Sequence, residues 1–300
     1  MSESRGGRCG TVAIIGRPNV GKSTLLNRLM GHKLAITSHK AQTTRHSILG
    51  IRTRPEGQIL FVDTPGIHHR GGSALNRYLN RAARTAISET DLVLFVVEAL
   101  RWTGEDDAAL EAIVTAGVPA IVAVNKVDRV VNKEDLLPFL QRLGQRHGFV
   151  ELVPVSARTG DQTDALELAL LRALPEGEPA FSEDQITDRS ERFFAAELVR
   201  EQLVQRYGEE LPYRTTVEIE RFEEIDQRYR IHALIWVERP SQKAIIIGRQ
   251  GEALKAAATQ ARLEMQKLFG YPVHLEVWVK VKKSWSSDEE ALTRLGYGDE

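Results

Sequence analysis

Residues 16–23 form the clearest pattern of chemically competent side chains in the sequence, Gly-Arg-Pro-Asn-Val-Gly-Lys-Ser. They lie between an apolar run, residues 11–15, and a helical pattern, residues 24–30. The two glycines allow the backbone to curl so that its N–H groups face an anion, and the helix adds its positive dipole end. Lys22 can reach the β- and γ-phosphates of a nucleotide, and the Ser23 hydroxyl can ligate Mg²⁺. The stretch therefore predicts a phosphate-binding P-loop.

A second turn, Asp63-Thr64-Pro65-Gly66, follows the apolar run at residues 58–62. Ligands of open α/β sheets bind at the carboxyl ends of the strands, where this turn is expected. Asp63 can hold Mg²⁺ through water, and the Gly66 N–H can sense a γ-phosphate without obstruction by a side chain. The same four residues alone would be an ordinary turn. Their place about forty residues after a P-loop favours nucleotide binding.

The turn Asn125-Lys126-Val127-Asp128 ends a fifth apolar run and indicates which base is bound. A carboxylate at Asp128 accepts hydrogen bonds from guanine N1–H and its exocyclic amine, whereas adenine would leave that carboxylate unpaired. The Lys126 stem can lie over the ring, and Asn125 can tie this loop to the P-loop. A Ser-Ala-Arg turn at residues 156–158 places a backbone N–H near guanine O6. The predicted GTP-binding residues are Gly16, Arg17, Pro18, Asn19, Val20, Gly21, Lys22, Ser23, Thr24, Asp63, Thr64, Pro65, Gly66, Asn125, Lys126, Asp128, Ser156, Ala157 and Arg158.

These motifs occur in an order that resembles the GTPases of the translation-factor class, over about residues 10–175. The order is not permuted, which argues against the circularly permuted ribosome GTPases. By this resemblance, residues 40–45 are the first switch segment, in which one threonine ligates Mg²⁺ when GTP is bound. We favour Thr44 for that role, with Thr43 as the alternative. The predicted metal ligands are Ser23, Thr44 and Asp63.

The predicted catalytic residues are Lys22, Asn19, Thr44 and Gly66. Ile67 stands where Ras-like enzymes carry a water-positioning glutamine, so we expect slow intrinsic hydrolysis. In several GTPases with such a hydrophobic substitution, an asparagine at the position of Asn19 helps to bind K⁺. The resemblance therefore implies K⁺ as a second cofactor beside Mg²⁺, with Asn19 as a plain turn residue the alternative.

Short apolar runs alternate with helical patterns through the first 175 residues, which predicts an α/β domain with a mostly parallel sheet. The predicted strands are residues 11–15, 47–52, 58–62, 92–97, 120–124 and 152–155. The predicted helices are residues 21–30, 74–87, 106–116, 133–146 and 162–174. Only residues 55–57 separate the second and third strands, so this pair is expected to be antiparallel.

The C-terminal part has a different pattern of helix, two alternating strands, two helices around a turn, and a final strand. The turn is Gly248-Arg249-Gln250-Gly251, and it resembles the loop of KH domains, where RNA phosphates approach backbone N–H groups. The predicted RNA-binding residues are Ile247, Gly248, Arg249, Gln250, Gly251, Lys255, Lys280 and Lys282. We expect a GTPase domain over residues 1–178, a linker over 179–189 and a smaller α+β KH domain of type II over 190–300.

A GTPase domain followed by such a KH domain resembles the Era-type family of bacterial GTPases, across essentially the whole chain. The matching motifs lie at residues 16–23, 41–45, 63–66, 125–128, 247–251 and 272–282. The resemblance implies binding to the 3′ end of 16S ribosomal RNA during maturation of the small (30S) subunit. It also implies loose peripheral association with the cytoplasmic face of the membrane.

The composition limits the function classes further. The 40 basic and 41 acidic residues nearly balance, but residues 239–283 hold 9 basic and 3 acidic residues, against 8 and 14 in residues 181–238. A local basic patch of this kind is either a docking surface for a phosphate backbone or simply a charged face exposed to solvent. Cys9 is the only cysteine, which excludes an internal disulfide or a thiolate metal cluster. No apolar run is long enough to span a bilayer, so we expect a soluble protein. The single cysteine fits a reducing cytosol, and we expect a cytoplasmic monomer.

Two other functions fit parts of the sequence. One is a pure RNA-binding protein with a vestigial nucleotide site, which the intact Lys22, Ser23, Asp63 and Asp128 argue against. The other is a GTPase of another process, either a tandem-domain ribosome GTPase or a tRNA-modifying one. The single set of GTPase motifs disfavours the first of these, and the Gly-x-x-Gly turn disfavours the second.

Overall fold

The computed structural model describes residues 7–38, 40, 43–66, 74–208 and 211–294, which fall into two compact units. The first unit contains the chain up to Ala35, residues 44–71 and residues 79–188. The second contains residues 36–43, 72–78 and 189–300. Two segments from the N-terminal half of the chain therefore belong to the second unit, an arrangement that the sequence pattern did not indicate.

The first unit is built on a six-stranded sheet with the order β2-β3-β1-β4-β5-β6. Its strands are β1 (Arg8–Ile15), β2 (Ile48–Arg54), β3 (Gly57–Asp63), β4 (Leu92–Glu98), β5 (Ala120–Asn125) and β6 (Glu151–Pro154). The pair β2 and β3 is antiparallel, as the short turn predicted, and all other neighbours are parallel. The loops that follow β1, β3, β4, β5 and β6 therefore lie at one edge of the sheet.

Helices cover both faces of this sheet, as the continuously apolar strands predicted. They are α1 (Lys22–Met30), α2 (Ala74–Ser88), α3 (Gly104–Ala116), α4 (Leu136–Gly144) and α5 (Thr163–Ala173). Side chains of α2, α3 and α4, including Ile87, Ile113 and Phe139, pack with Phe95 and Val122 into one buried cluster. The helices α1 and α5 contact each other and the sheet. This packing fixes the strand ends from which the predicted nucleotide loops extend.

Residues 180–187, which we predicted to lie in a linker, run along the edge of the first unit. The Gln58 side chain accepts from the N–H groups of Ala180 and Phe181 and donates to the Phe181 carbonyl. Farther along, the Ile51 N–H donates to the Ile186 carbonyl at 2.9 Å. The segment thus supplies partners to the open edge strand β2, which would otherwise expose unpaired backbone groups.

The second unit contains a three-stranded sheet with the order β7-β8-β9, in which β7 and β8 are antiparallel and β8 and β9 are parallel. Its elements are α6 (Glu191–Arg206), β7 (Thr215–Ile225), β8 (Arg228–Val237), α7 (Pro240–Ile247), α8 (Glu252–Phe269), β9 (Val273–Val281) and α9 (Glu289–Arg294). Apart from α9, which the sequence pattern missed, this is the predicted order. Among the described residues, no helix is long and apolar enough to cross a membrane.

Candidate functional site

The loop between β1 and α1 encloses the ammonium group of Lys22. Its Nζ donates to the carbonyls of Gly16 at 2.9 Å and Arg17 at 3.0 Å, and the side chain is buried. Burial lowers the pKa of Lys22 to about 8, although the nearby charge of Asp63 acts in the opposite direction. An anionic phosphate in the loop would favour the charged form. The arrangement is that of a P-loop lysine.

Three oxygen atoms converge beside this loop. Ser23 Oγ lies 2.9 Å from Thr44 Oγ1 and donates to Asp63 Oδ2 at 3.0 Å, and Thr44 Oγ1 donates to the same oxygen at 3.3 Å. Burial raises the pKa of Asp63 to about 6, and its Oδ1 atom has no hydrogen-bond partner in the described part of the chain. Hard oxygen ligands around a buried carboxylate suit Mg²⁺, which also favours the ionised carboxylate. The residues present therefore fit the metal ion.

Thr43 and Thr44 point to different partners. Thr44 Oγ1 contacts Ser23 and Asp63, whereas Thr43 Oγ1 donates to the carbonyl of Lys40 and lies 2.7 Å from Ser38 Oγ. Of the two candidate threonines, Thr44 thus lies beside the other proposed metal ligands.

The turn after β3 closes against the P-loop. A Cβ atom added to Gly66 would lie 3.2 Å from Lys22 Nζ and 3.3 Å from Pro18 atoms, so only a glycine brings this backbone so close without displacing them. The Thr64 hydroxyl donates to the Ile14 carbonyl and anchors the turn to β1. The next residue, Ile67, lies outside the described residues.

Asn125 connects the loop at the end of β5 to two other loops. Its amide donates to the Val20 carbonyl at 2.7 Å, and its carbonyl oxygen accepts from the N–H groups of Lys126 and Ala157. Lys126 Nζ in turn donates to the Asn19 carbonyl at 2.7 Å. The predicted base-binding residues and the P-loop therefore form one hydrogen-bonded assembly.

Asp128, the predicted guanine-binding carboxylate, is held in its ionised form. Its carboxylate accepts from Ser156 Oγ at 2.6 Å and pairs with the Arg158 guanidinium at 2.6 Å. The hydrogen bond from Ser156 and the charge of Arg158 lower the pKa of Asp128. Arg28 on α1 donates to the carbonyls of Ala157 and Arg158 and so fixes this turn to the P-loop helix.

A buried charged network behind the P-loop was not predicted from the sequence. Arg17 donates to Glu98 at 2.6 Å and to Asp106 at 3.1 Å, and Lys126 pairs with Glu98 at 3.1 Å. Burial opposes ionisation of Glu98, but its partners Arg17 and Lys126 outweigh this effect and its pKa is lowered. Glu98 ends β4 at the same sheet edge as the other loops, and that position is a signal that could have revealed it.

Of the segment that overlaps the predicted first switch, the described residues 36–38, 40 and 43 belong to the second unit, where Thr37, Lys40 and Thr43 contact α6. The Thr37 N–H donates to Glu201 Oε1 at 3.0 Å, and Arg200 donates to the Thr43 carbonyl. Lys40 Nζ donates to the carbonyls of Val204 and Tyr207. This packing explains why α6 buries polar side chains as well as apolar ones. The buried polar residues of α6 are Glu197, Arg200, Glu201 and Gln202.

The turn between α7 and α8 exposes the two residues between its glycines, Arg249 and Gln250. Gly248 has φ 71°, and a Cβ atom there would lie 2.6 Å from the Cβ of Ala253. The turn therefore requires a glycine at this position for its own geometry. Ile247 ends α7 and is half-buried, while Lys255 is exposed in the first turns of α8.

Two of the predicted RNA-binding residues lie on another surface of the second unit. On β9, Lys280 lies between the buried Val279 and the half-buried Val281, and Lys282 directly follows the strand. This alternation puts both lysines on the sheet face that the helices do not cover. Lys280 pairs with Glu220 at 3.2 Å, and both ammonium groups lie 5.9 Å from the Trp236 ring. The fold thus separates these lysines from the turn at residues 248–251.

The comparisons with known proteins agree with both units. A family model described as "50S ribosome-binding GTPase" matches residues 11–126, and one described as "KH domain" matches residues 210–286. The GTPase Era of Pseudomonas aeruginosa (strain LESB58) is 55% identical over 98% of this chain and 96% of its own. That of Azotobacter vinelandii is 54% identical over the full length of both chains.

Solved structures give the same result. A variant of Aquifex aeolicus Era bound to GDP.AlF4⁻ is 39% identical, with a TM-score of 0.94 over 97% of this chain and 100% of that one. A structure of Era in complex with MgGDPNP and nucleotides 1506–1542 of 16S ribosomal RNA has the same identity and TM-score, covering 98% of this chain and 100% of that one. The expected α/β GTPase fold with a C-terminal KH domain is confirmed. The chain belongs to the Era family of GTPases, and it is itself a GTPase.

Proposed function

We propose that this GTPase binds the 3′ end of 16S ribosomal RNA through its KH domain and acts in assembly and maturation of the 30S subunit. The observation that carries the proposal is one chain with an intact guanine-nucleotide site and an exposed Gly-Arg-Gln-Gly turn. The related Era structure that contains 16S RNA nucleotides supports the choice of RNA.

In this proposal, each loop of the nucleotide site contacts a different part of GTP. Lys22 contacts the β- and γ-phosphates, and the Gly66 N–H contacts the γ-phosphate. Asp128 accepts from guanine N1–H and its exocyclic amine, while the Lys126 stem covers the ring. Asn125 positions the base-binding loops, because it bonds to Val20 and Ala157 at once.

Ser23 and Thr44 would hold Mg²⁺ directly, and Asp63 would hold it through water. When bound, this ion supplies positive charge that offsets the negative charge of the phosphates. The chain's own contribution is to bring the three side chains within hydrogen-bond distance of one another, with Asp63 buried.

Intrinsic hydrolysis is slow in this proposal, because Ile67 has no group that can orient the attacking water. Asn19 is exposed in the P-loop with φ 63°, and its carbonyl is held by Lys126. Its side-chain amide makes no contact in the described part of the chain that would prevent it from binding K⁺. We assign Asn19 to K⁺, whose charge complements the phosphates.

The nucleotide state reaches the KH domain through the first switch segment. Thr43 is held by Arg200 of α6, whereas Thr44, the next residue, is hydrogen-bonded to Ser23 and Asp63. A γ-phosphate that reorganises Thr44 therefore also changes the contacts that Thr37, Lys40 and Thr43 make with α6.

The protein works as a monomer in the cytoplasm, where ribosomal precursors are found, with loose peripheral contact to the membrane.

Binding of fluorescent RNA from the 3′ end of 16S ribosomal RNA tests the proposal. Because a side chain at Gly248 would clash with Ala253, a Gly248→Asp variant cannot separate misfolding from lost binding. Arg249→Asp is sharper, since Arg249 is exposed and its backbone requires no glycine. We expect about a tenfold or greater loss of RNA affinity with unchanged GTP affinity. Lys133→Asp, an exposed charge reversal in the first unit, is the control. Equal losses in both variants would overturn the proposal.

A further inference from the structure

The three-stranded sheet of the second unit has one face that the helices leave open, here called the outer face. At the hairpin end of this face lies a cleft of about 540 Å³. Its polar lining comes from all three strands: Arg221 of β7, Arg228, Arg230 and His232 of β8, and His274 and Glu276 of β9. None of these residues belongs to the nucleotide site or to the turn at residues 248–251.

The backbone directs the basic side chains into this cleft. A register shift between Ile219 and Arg221 interrupts the alternation of β7 and places Arg221 opposite His232. The tight turn at Asp226 and Gln227, both with positive φ, starts β8 at Arg228. Because residues two apart on a strand share a face, Arg228 and Arg230 project from the same side about 7 Å apart. This spacing is comparable with that of successive phosphates along a nucleic-acid strand.

Two of the arginines have unused donors. Arg221 pairs with Glu223 at 2.7 Å, and His274 lies 3.0 Å from Glu276. Arg228 and Arg230 are exposed and make no hydrogen bond or close ion pair within the described part of the chain, although Arg230 lies opposite Glu223 and its charge contributes to lowering the pKa of Glu223. A guanidinium group presents its N–H donors in a fork that matches the oxygen atoms of a phosphate. The free donors therefore suit a phosphodiester ligand.

The other side chains of the outer face favour RNA over a membrane surface. Glu223 and Glu276 lie among the arginines and would repel a continuous anionic bilayer, whereas the 2′-hydroxyls of RNA can donate to carboxylates. Beside the cleft, the rings of His232 and Trp278 lie 5.2 Å apart, and Trp278 is 41% exposed. An exposed indole offers a face on which an unpaired base can stack.

We propose that this cleft, here called the outer-face site, binds the phosphodiester backbone of RNA at nucleotides other than those held by the KH turn. A KH turn contacts about four nucleotides, and α7 and α8 that carry it pack on the opposite side of the sheet. A short strand that fills the turn cannot also reach the outer-face site. The inference rests on the proposed function only in taking RNA as the ligand.

The test compares two RNAs on the full-length protein. One is a single strand of about six nucleotides, enough for the KH turn, and the other is the longer 3′-terminal segment of 16S RNA. The variant carries Arg228→Gln and Arg230→Gln. We expect this variant to bind the short RNA with unchanged affinity and the long RNA with an affinity lower by about tenfold or more. For the long RNA, the slope of log affinity against log salt concentration should become shallower by about 1.5, which corresponds to two lost phosphate contacts. Arg84→Gln with Arg142→Gln, two exposed arginines of the first unit, is the matched control.

Three results would overturn the outer-face site. They are equal long-RNA affinity in variant and wild type, equal losses for both RNAs, and no gain of affinity in the wild type from short to long RNA. Vesicles that contain anionic lipid form a further arm. If the variant with both arginines replaced loses vesicle binding but keeps its RNA binding, the arginines bind a membrane surface instead. Failure of the proposed function differs from all of these, because it appears as short-RNA binding that Arg249→Asp does not change.

Discussion

Asp128 is the residue on which base selection depends, and its surroundings make the prediction specific. The carboxylate is held by Ser156 and Arg158, so replacement by an amide changes its charge with little change of shape. We predict that Asp128→Asn lowers GTP affinity at least about 100-fold, because the amide no longer offers two acceptors to the guanine donors. Affinity for xanthine nucleotides should rise, since their C2 oxygen accepts from the amide.

Titration with fluorescent nucleotides measures both effects. Asp161→Asn, an exposed carboxylate beside the Ser-Ala-Arg turn, serves as the control. Equal GTP affinity in Asp128→Asn and the wild type would contradict the role of this residue.

Asn19 gives a prediction about cation dependence. We expect faster GTP hydrolysis in K⁺ than in Na⁺ at equal ionic strength. The reason is that K⁺ fits the proposed site at Asn19 better than Na⁺ does and so places its charge beside the phosphates. In Asn19→Ala the difference between the two salts should disappear while GTP affinity stays within a few-fold. Phosphate release at saturating GTP is the measurement. The same rate of hydrolysis in both salts for the wild type would remove the K⁺ role and favour an arginine supplied by a partner.

Most residues of the nucleotide site could be predicted because each motif is short and local. Lys22, Asp63 and Asp128 each belong to a short motif at or after the end of an apolar run, and parallel strands bring the ends of such runs together. Glu98 and Asp106 were missed, because their role depends on Arg17, which is far from them in the sequence. A single carboxylate after a strand carries no recognisable motif.

At the scale of elements, the pairing between α5 and the edge of the sheet predicts a pH effect on stability. Glu167 of α5 accepts from Arg52 and Arg54 of β2 at 2.7–3.0 Å. Burial opposes ionisation of Glu167, but these hydrogen bonds outweigh it and hold its pKa below the ordinary value of 4.5. Since the folded-state pKa is depressed, the stabilisation is complete above pH 4.5 and is lost as the pH falls through the folded-state pKa.

We therefore predict that Glu167→Gln lowers the free energy of unfolding by about 1–2 kcal/mol at pH 7. The difference from wild type should shrink below pH 4.5, where the wild-type carboxylate also becomes protonated. Urea unfolding at several pH values measures this, with the exposed Glu111→Gln as the control. A difference that stays constant down to pH 3 would contradict the ion pairs.

The contacts of Thr37, Lys40 and Thr43 with α6 give a prediction about coupling. Lys40 donates to carbonyls at the C-terminal end of α6, where a cation is favourable. We predict that Lys40→Gln brings the ratio of RNA affinities, measured with a GTP analogue and with GDP, closer to one. The control is Lys133→Gln, an exposed lysine of the first unit. A ratio equal to that of the wild type would show that this segment does not transmit the nucleotide state.

The regular elements were largely predictable, but the segments that cover them were not. Apolar alternation in β9 and continuous apolar runs in β4 and β5 determine their own conformation and burial. The polar residues of α6 gave no sign of burial, because their partners lie about 160 residues earlier in the chain. The same holds for residues 180–187, which pair with a strand edge that only the folded sheet creates.

At the scale of the whole molecule, the sequence predicted two modules and their order, because each has its own motif and periodicity. The prediction grouped Lys280 and Lys282 with the KH turn as RNA-binding residues. The alternation of residues 273–282 indicates that both lysines lie on the exposed side of a strand, but only the structure shows that the helices carrying the turn cover the other face of the sheet. Basic residues on both surfaces make the choice of RNA segment the central question.

The most direct test of the central claim is crosslinking of the protein to RNA in growing cells, followed by sequencing of the attached RNA. The proposal predicts reads concentrated at the 3′ end of 16S ribosomal RNA in small-subunit precursors. Arg249→Asp should remove that peak, and Lys133→Asp should keep it. Reads spread over messenger or transfer RNA, or a 16S peak that persists in Arg249→Asp, would contradict the claim that the KH turn directs this GTPase to the small subunit.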